Sequence, residues 1–254
     1  MQIRQIKDKT RLLTFLNTDR AWHAYALADL SDPFFSQCRW WAAETDGGIV
    51  TLVLSYKGLE PPVFLAMGEA KHLPQIFQRA ELPSEAMFLG REAHIPFLLK
   101  AYQAQYLDKM WRMALSADKF KPADYTQTVR LDKSHLPTLL AMYRGNHGNA
   151  FAPYQLEQGV FYGLFEAGEL VSVAGTHLVA PEYGIAAVGN IYTRPQHRGK
   201  GLAQQVTSAV CADLLAQKLD VVLNVDQSNA SAVHLYKKLG FEIHCPFIEG
   251  IGKR

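Results

Sequence analysis

Residues 196–201, Gln-His-Arg-Gly-Lys-Gly, combine two features that suit a backbone site for a phosphate group. Gly199 and Gly201 have no side chains, so an anion can approach their backbone closely. Arg198 and Lys200 add positive charge to the same segment, which we call the glycine turn. The glycine turn is therefore a candidate binding site for a pyrophosphate group.

The segments on either side of the glycine turn predict a strand before it and a helix after it. Residues 184–193 are mostly apolar and read as a strand. After the turn, apolar residues recur at helical spacing: Leu202, Val206, Ala209, Val210 and Leu214. The first N–H groups of a helix have no partner within it, and the helix dipole is positive at that end. This order of elements would therefore direct hydrogen-bond donors toward a bound anion.

Two other phosphate-binding patterns do not fit the glycine turn. A Walker P-loop requires a serine or threonine after its Gly-Lys pair, whereas here Gly201 leads into Leu202. A dinucleotide fingerprint requires a third small residue, and Gln204 holds that place. A basic surface turn that binds nothing remains the alternative.

A second segment of interest begins about 25 residues after the glycine turn. Residues 221–226 form an apolar run typical of a strand, and a short helix is predicted after it. Asn229 can cap the start of this helix, and Gly240 can end it. Asn229, Ala232 and Tyr236 stand at positions i, i+3 and i+7, on a face that core packing does not require.

Together the two segments resemble the acyl-CoA signature of the GNAT superfamily of N-acetyltransferases. The patterns that carry the resemblance are Gln196-x-x-Gly199-x-Gly201 and Asn229-x-x-Ala232-x-x-x-Tyr236. The resemblance covers roughly the last half of the chain. It implies an α/β fold with a mixed central sheet flanked by helices, and acetyl-CoA or another acyl-CoA as co-substrate.

The same resemblance implies a set of site residues. The pyrophosphate would accept hydrogen bonds from the backbone N–H groups of residues 198–203, and the pantetheine arm would pair with the strand edge before the turn. Asn229 would contact the pantetheine or hold the turn, and Tyr236 would protonate the leaving thiolate. The implied cofactor-binding residues are Ile191, Tyr192, Thr193, Gln196, Arg198, Gly199, Lys200, Gly201, Leu202, Ala203, Asn229, Ala232 and Tyr236.

The base that removes a proton from the amine is left open by the sequence. No glutamate stands in residues 185–193, where some members of the family have one. The alternatives are His177, Asp226, His147 or water alone. Asn190 and Asn224 could position such a water, or could be polar groups satisfied within the core. The catalytic candidates are therefore Tyr236, Asp226 and His177.

Composition argues against several other classes of protein. The formal net charge of +2 is small and the basic residues are dispersed, so no nucleic-acid partner is predicted. No apolar run approaches the roughly 20 residues of a membrane span, and the N-terminus lacks the features of a signal peptide. Three widely spaced cysteines and nine unclustered histidines predict neither a disulfide framework nor a metal site. We expect a cytoplasmic, metal-free protein.

The chain is long enough for two domains, and the polar segment 116–127 predicts a linker. Residues 1–120 contain neither motif but follow the order of a GNAT domain, so we expect a degenerate GNAT-like domain with an acceptor-site or structural role. Residues 124–254 are expected to be the catalytic GNAT domain, which gives two tandem GNAT-like halves. Trp22, Trp40, Trp41 and Trp111 could line an acceptor pocket, although such aromatic residues usually belong to a core.

The predicted elements of the first half are helices at 9–16, 19–30, 70–79 and 95–105 and strands at 38–43, 49–56, 62–67 and 108–115. In the second half, the predicted strands are 128–131, 160–165, 170–179, 184–193 and 221–226, with a strand pair at 241–251. Its predicted helices are one capped by Ser134, one at 153–158, and those after the glycine turn and Asn229. Residues 146–149 are predicted to interrupt the first of these helices.

Two functions from different classes follow. The first is an N-acyltransferase that moves an acetyl or other short acyl group from CoA directly to the primary amine of a small molecule or amino-acid-like acceptor. The second is a non-catalytic acyl-CoA-binding or sensor module with an N-terminal interaction domain. The tandem arrangement itself resembles mycothiol synthase-like and glycine N-acyltransferase-like proteins. Tyr236 and the polar residues in the strands favour the enzyme.

Overall fold

The structure is a computed structural model that describes residues 1–144 and 151–254. It divides into two compact units, and the division is not a single cut in the chain. Unit 1 consists of Met1–Arg112, Asp226–Ser228 and His244–Arg254. Unit 2 consists of Met113–Val225 and Asn229–Ile243. The roles predicted for residues 1–120 and 124–254 remain predictions.

The first part of the chain ends with a strand at Leu115. It begins with a strand and two helices. In order, the elements are β1 (Gln2–Ile6), α1 (Lys9–Leu16), α2 (Ala24–Ala28), β2 (Cys38–Thr45), β3 (Gly48–Tyr56), β4 (Val63–Gly68), α3 (Leu73–Phe77), β5 (Glu85–Gly90), α4 (Ile95–Ala101) and β6 (Gln103–Leu115). The Asp8 side chain caps α1 by accepting hydrogen bonds from the N–H groups of Thr10 and Arg11.

The rest of the chain repeats this order. Its elements are β7 (Val129–Arg130), α5 (Leu136–Tyr143), α6 (Pro153–Gln158), β8 (Tyr162–Glu166), β9 (Glu169–Ala180), β10 (Ile185–Thr193), α7 (Leu202–Ala216), β11 (Asp220–Asp226), α8 (Ala230–Lys238) and β12 (Glu242–Lys253). Strand β12 starts in unit 2 and ends in unit 1.

Each unit contains a mixed sheet with one parallel pair. In unit 1, β1, β2, β3 and β4 pair antiparallel in that order, β4 pairs parallel with β5, and β5 pairs antiparallel with β12. In unit 2, β7, β8, β9 and β10 pair antiparallel in order, and β10 pairs parallel with β11. In both units a helix connects the two parallel strands, as such a connection requires. The predicted mixed sheet flanked by helices, in two tandem halves, is confirmed.

Each unit also has its own hydrophobic core. In unit 1, apolar side chains of β3, β4 and β5 pack against α3 and α4, with Phe64 and Phe88 near the centre. In unit 2, side chains of α5, α6, β8 and β9 pack together around Phe161. The apolar stripe predicted for α7 is buried at Val206, Ala209, Val210 and Leu214. Among the described helices, none is both long and apolar enough to cross a membrane.

Several predicted elements need correction. Helix 19–30 is reduced to α2, because the Asp19 side chain accepts a hydrogen bond from the Trp22 N–H and the chain turns there. The cap attributed to Ser134 is supplied by Asp132, whose carboxylate accepts from the Ser134 N–H at 2.9 Å. The strand pair at 241–251 is the single strand β12. Strands β1 and β5 were not predicted, and residues 146–149 lie outside the described residues.

Candidate functional site

The glycine turn adopts a backbone conformation that favours glycine at two positions. Gly199 and Gly201 have φ angles of 78° and 77°, in the left-handed region that other residues rarely adopt. Apart from the glycine itself and its chain neighbours, no heavy atom of the described residues lies within 4 Å of the place where a Cβ would stand on either residue. Conformation, and not crowding by the protein, therefore explains the two glycines, and the space beside them is open to a ligand.

Backbone donors gather at this turn. The Arg198 N–H donates to the Pro195 carbonyl at 3.2 Å, so it is already used. The N–H groups of residues 199–203, in contrast, donate to no oxygen in the part of the chain that the structure describes. They lie at the start of α7, a helix of 15 residues. Free N–H groups and the positive end of a helix dipole together make a site for an anion.

The basic side chains of the turn are partly occupied by the protein itself. The Arg198 Nε donates to the Thr193 carbonyl at 3.1 Å, and its guanidinium carbon lies 5.9 Å from the centre of the Tyr192 ring. Lys200 Nζ lies 3.8 Å from a carboxylate oxygen of Glu166, an oxygen that His197 also contacts at 3.0 Å. These contacts place the turn beside the end of β10 and the β8–β9 hairpin. The backbone N–H groups are therefore the main hydrogen-bond donors available to an anion.

Strands β10 and β11 part immediately before the turn. Their parallel pairing runs from Ile185 with Asp220 to Val188 with Leu223 and goes no further. Beyond Val188, β10 remains paired with β9: Tyr192 pairs with Val173, and Thr193 pairs with Ser172. The edge of β10 that faces β11 is therefore open along the segment that contains Ile191, which the resemblance assigns to pantetheine binding.

A bulge in β10 lies at the point where the strands part. Asn190 has a φ of 52°, and the register with β9 shifts between Gly189 and Tyr192. The Asn190 Nδ2 donates to Gln155 Oε1 at 3.2 Å and to the Thr176 carbonyl at 3.1 Å, which fixes the bulge in place. Its Oδ1 is buried and has no donor among the described residues, and the same is true of Asn224 Oδ1 on β11. Both asparagines singled out in the sequence therefore retain an unused acceptor.

Tyr236 lies on α8, whose start is fixed as the sequence predicts. The Asn229 Oδ1 caps α8 by accepting from the Ala232 N–H at 3.1 Å, which leaves the Asn229 amide nitrogen for other contacts. Tyr236 is 8% exposed and packs against Phe241, with 5.9 Å between the ring centres. Burial, and secondarily the neighbouring Cys211 thiol, raises the pKa of Tyr236, so its hydroxyl stays protonated at neutral pH. A protonated phenol can act as an acid but not as a base.

The two described base candidates are both weak bases. His177 is half-buried, and its ring lies over Gly189, where an added Cβ would come within 2.1 Å of Nε2. Burial lowers the pKa of His177 to about 4, so its imidazole is neutral at pH 7. Hydrogen bonds from the Ser228 hydroxyl and N–H lower the pKa of Asp226, which lies in the short segment of unit 1 at the end of β11. The third candidate, His147, lies outside the described residues.

Three contributors to this region were not identified from the sequence. Glu166 lies within ion-pair distance of His197 and Lys200, Gln155 supports the bulge, and Gly189 makes room for the His177 ring. A glycine inside a strand is a recognised signal of close approach, so Gly189 could have been found. The described residues contain no group of three or more His, Cys, Asp or Glu side chains placed to hold a metal ion.

Comparison with known proteins is consistent with this geometry. The FR47-like protein family matches residues 161–246. An L-methionine sulfoximine/L-methionine sulfone acetyltransferase from Pseudomonas paraeruginosa is 31% identical over 129 residues, which cover 42% of this chain and 75% of that protein. A mycothiol acetyltransferase from Tsukamurella paurometabola is 37% identical over 78 residues, but the match covers 30% of this chain and 27% of that protein.

The fold has a full-length counterpart among solved structures. A tandem GNAT protein from the clavulanic acid biosynthesis pathway matches with a TM-score of 0.56 over 99% of this chain and 98% of that protein. The two sequences are 10% identical, so this likeness concerns the fold alone.

Proposed function

Because this chain belongs to the GNAT family of acetyltransferases, we propose that it transfers an acetyl group from acetyl-CoA directly to the primary amine of a small, amino-acid-like acceptor. The observation that carries the proposal is the set of free N–H groups of residues 199–203 at the start of α7, beside the open edge of β10. In this proposal the pyrophosphate binds those N–H groups, and the pantetheine arm pairs with that edge.

The proposed reaction needs little from the protein beyond placement and proton transfer. The neutral amine attacks the thioester carbonyl, the new C–N bond forms, and the tetrahedral intermediate then expels the CoA thiolate as the C–S bond breaks. Tyr236, whose hydroxyl burial keeps protonated, gives its proton to the thiolate. The ammonium proton becomes far more acidic once the amine has attacked, so neutral His177 or water can accept it although the pKa of His177 is low.

Two further observations support the proposed acceptor class and the proposed cellular location. The relative from Pseudomonas paraeruginosa is named for L-methionine sulfoximine and L-methionine sulfone, which are amino-acid derivatives, and this favours an amino-acid-like acceptor. The cysteines Cys38, Cys211 and Cys245 are all free and buried, which fits a reducing compartment and supports a cytoplasmic location.

Acetyl-CoA turnover with a panel of primary amines tests the activity, with release of free thiol as the readout. We expect amine-dependent thiol release, with amino acids and their derivatives as the best acceptors. Calorimetric titration with acetyl-CoA in the same buffer tests binding and should give one site per chain. Binding without turnover for any amine would replace the enzyme with a non-catalytic acyl-CoA-binding module, and absence of binding would refute both.

A further inference from the structure

His177 is the extra residue of a second bulge, which lies in β9. Ala187 of β10 pairs with Leu178. The next residue of β10, Val188, pairs with Thr176, so the pairing passes over His177. A bulge interrupts the regular alternation of side chains along a strand and redirects the side chain of its extra residue. The direction of the His177 ring therefore depends on this bulge.

The bulge in β10 compensates the bulge in β9. Gly189 pairs with Gly175. Tyr192 pairs with Val173, so β10 has one residue more than β9 in this interval, and Asn190 with its φ of 52° lies within it. The pairs after this interval have the same register as the pairs before the bulge in β9. Because each bulge shifts the register by one residue, loss of one bulge alone would misalign the two strands.

The side chain of Gln155 on α6 is hydrogen-bonded to both bulges. Its Nε2 donates to the His177 carbonyl at 3.0 Å, and its Oε1 accepts from Asn190 Nδ2 at 3.2 Å. The same Oε1 accepts from the Ala152 N–H at 2.9 Å, at the start of α6. Gln155 is 7% exposed, so water competes little for these bonds. One amide group therefore connects α6 to the bulge of each strand.

The orientation of both side-chain amides follows from their backbone partners. A backbone N–H can only donate, and a backbone carbonyl can only accept. The Ala152 N–H therefore requires Gln155 Oε1, and the His177 carbonyl requires Gln155 Nε2. With Oε1 fixed as an acceptor, Asn190 must present Nδ2, which also donates to the Thr176 carbonyl at 3.1 Å. No other assignment of the amide atoms satisfies these contacts.

The bulge in β10 has a further support that does not involve Gln155. The Tyr143 hydroxyl donates to the Asn190 carbonyl at 2.5 Å. Together with the bond from Asn190 Nδ2 to Thr176, this contact would remain if Gln155 were replaced. Loss of the Gln155 amide should therefore affect the bulge at His177 more than the bulge at Asn190.

The His177 ring is placed by its backbone and by packing. Burial alone lowers the pKa of His177, to about 4, so no charge or hydrogen bond of the described residues holds the ring itself. The ring lies over Gly189, which follows the last residue pair between β10 and β11. A shift of the bulge in β9 would therefore move the imidazole relative to the place where those strands part.

We propose that Gln155 is a positioning residue for acetyl transfer, and that it acts through His177, which takes the proton from the amine. This inference rests on the proposed function. The amine nitrogen forms the C–N bond and becomes an ammonium group, whose proton passes to the unprotonated nitrogen of the His177 imidazole. His177 then releases this proton to water, and Tyr236 recovers from water the proton that it gives to the thiolate. A displacement of about 1 Å can reduce the rate of such a step by about 10²-fold.

Gln155→Met tests the proposal, because methionine has a similar length and forms none of these hydrogen bonds. The kcat for the best acceptor should fall by about 10²-fold, whereas the calorimetric affinity for acetyl-CoA should change little, since the glycine turn is untouched. Ser208→Ala is the matched control, because the buried Ser208 hydroxyl accepts from the Ala123 N–H at 3.0 Å in the same unit. It should lower the thermal midpoint and keep kcat.

A double-mutant cycle distinguishes positioning from a general loss of structure. In a His177→Gln protein, the added Gln155→Met change should lower kcat by no more than about threefold, because the group that Gln155 positions is already absent. If Gln155→Met does not fold, Gln155→Glu takes its place in the cycle, since it keeps the acceptor and removes the donor to His177. An equal fold-loss of kcat with and without His177 would overturn the proposal, as would full kcat in a well-folded Gln155 variant.

Amide hydrogen exchange separates failure of this proposal from failure of the proposed function. Absence of thiol release by the unmodified protein with every amine would refute the proposed function and, with it, the catalytic role of Gln155. Its structural role has a separate readout: the Gln155 variant should exchange faster at residues 176–178, and residues 221–226 should be unchanged. Unchanged exchange at residues 176–178 would show that Gln155 does not hold the bulge in β9, and would overturn the proposal even in an active enzyme.

Discussion

The two units share one order of elements, but the turn after their central parallel strand differs completely. In unit 2, β10 leads through the glycine turn into the 15-residue helix α7. In unit 1, the equivalent strand β4 leads through Glu69 and a 3-10 turn (Ala70–His72) into α3, a helix of 5 residues. The parallel pair stops early in both, at Leu65 with Leu89 in unit 1 and Val188 with Leu223 in unit 2. Parted strands are thus common to both units, whereas the run of five free N–H groups at residues 199–203 is not; among residues 69–72 of unit 1, only the N–H groups of Ala70 and Lys71 lack an acceptor.

The turn of unit 1 is closed by its own protein contacts. Gly68 has a φ of 81°, like the glycines of unit 2, but a Cβ there would come within 2.3 Å of the Val50 carbonyl oxygen. The Glu69 N–H donates to that same carbonyl at 2.9 Å, and the Gly68 carbonyl contacts His94 Nε2 at 2.9 Å. The Glu69 carboxylate pairs within the turn, with Lys71 Nζ at 2.6 Å and His72 Nε2 at 3.4 Å. A shared fold therefore does not make a shared site, and the free N–H groups decide the difference.

The helix after the second parallel strand differs as well. Helix α8 carries Tyr236, whereas α4 in unit 1 has the sequence Ile-Pro-Phe-Leu-Leu-Lys-Ala and contains no tyrosine. This comparison of the two units can be tested by the following changes.

The largest effect is expected from Gly201→Glu. Its side chain would enter the open space beside the turn and place a negative charge where the pyrophosphate is proposed to bind. Acetyl-CoA affinity should fall at least about 100-fold by calorimetry. Gly48→Glu in unit 1 is the control, because Gly48 also has a positive φ, of 109°, and open space around it. Near-native acetyl-CoA affinity in a folded Gly201→Glu protein would mean that the glycine turn is only a surface turn and does not bind the pyrophosphate.

A smaller effect, confined to turnover, is expected from Tyr236→Phe. The change removes one hydroxyl and keeps the ring that packs against Phe241. Turnover should fall by about 10²-fold, the lower end for a positioned acid, because a thiolate leaves fairly well unaided. Acetyl-CoA affinity and the thermal midpoint should change little.

The control for this change is Tyr162→Phe, which removes the hydroxyl that donates to Asp213 at 3.1 Å in the same unit. It should lose some stability and keep its turnover. Unchanged turnover in well-folded Tyr236→Phe would remove Tyr236 from the mechanism and leave protonation of the thiolate to water.

The smallest effect is the dependence of the free energy of unfolding on pH, and both units should contribute to it in the same way. Burial lowers the pKa of His23 in unit 1 and of His177 in unit 2 to about 4, from an ordinary value of 6.5. Between these values the unfolded chain binds a proton that the folded chain does not, so stability is full above pH 6.5 and falls as the pH decreases toward 4. At pH 5.5 each histidine should account for about 1.4 kcal/mol of lost stability.

Urea unfolding from pH 7.5 to 4.5 measures this dependence. His23→Gln and His177→Gln should each reduce the loss of unfolding free energy between pH 7.5 and 4.5, because glutamine does not titrate. If neither substitution alters the slope, these imidazoles are not held neutral by burial.

The sequence could predict the elements around the glycine turn because their signals are local. The apolar run of β10, the glycines and the spacing in α7 lie next to one another, as do Asn229, Gly240 and the stripe of α8. Strands β1 and β5 were missed because they are short and their existence depends on partners distant in the chain, β2 for β1 and both β4 and β12 for β5.

Side-chain partners across elements could not be predicted in the same way. The contacts of Glu166 with His197 and Lys200 arise only when the β8–β9 hairpin lies beside the glycine turn. The position of His177 over Gly189 depends on the register between β9 and β10, which a bulge shifts. Nothing in the pattern of β6 indicates that Arg112 is buried.

Hydrogen–deuterium exchange resolved to single amides, with and without acetyl-CoA, tests the central claim most directly. The N–H groups of residues 199–203 have no acceptor within the described part of the chain, so they should exchange rapidly in the free protein. Acetyl-CoA should slow their exchange, and leave residues 68–72 of unit 1 unchanged. Equal protection of both turns, or protection of the unit 1 turn alone, would contradict the claim that only unit 2 holds the acyl-CoA site.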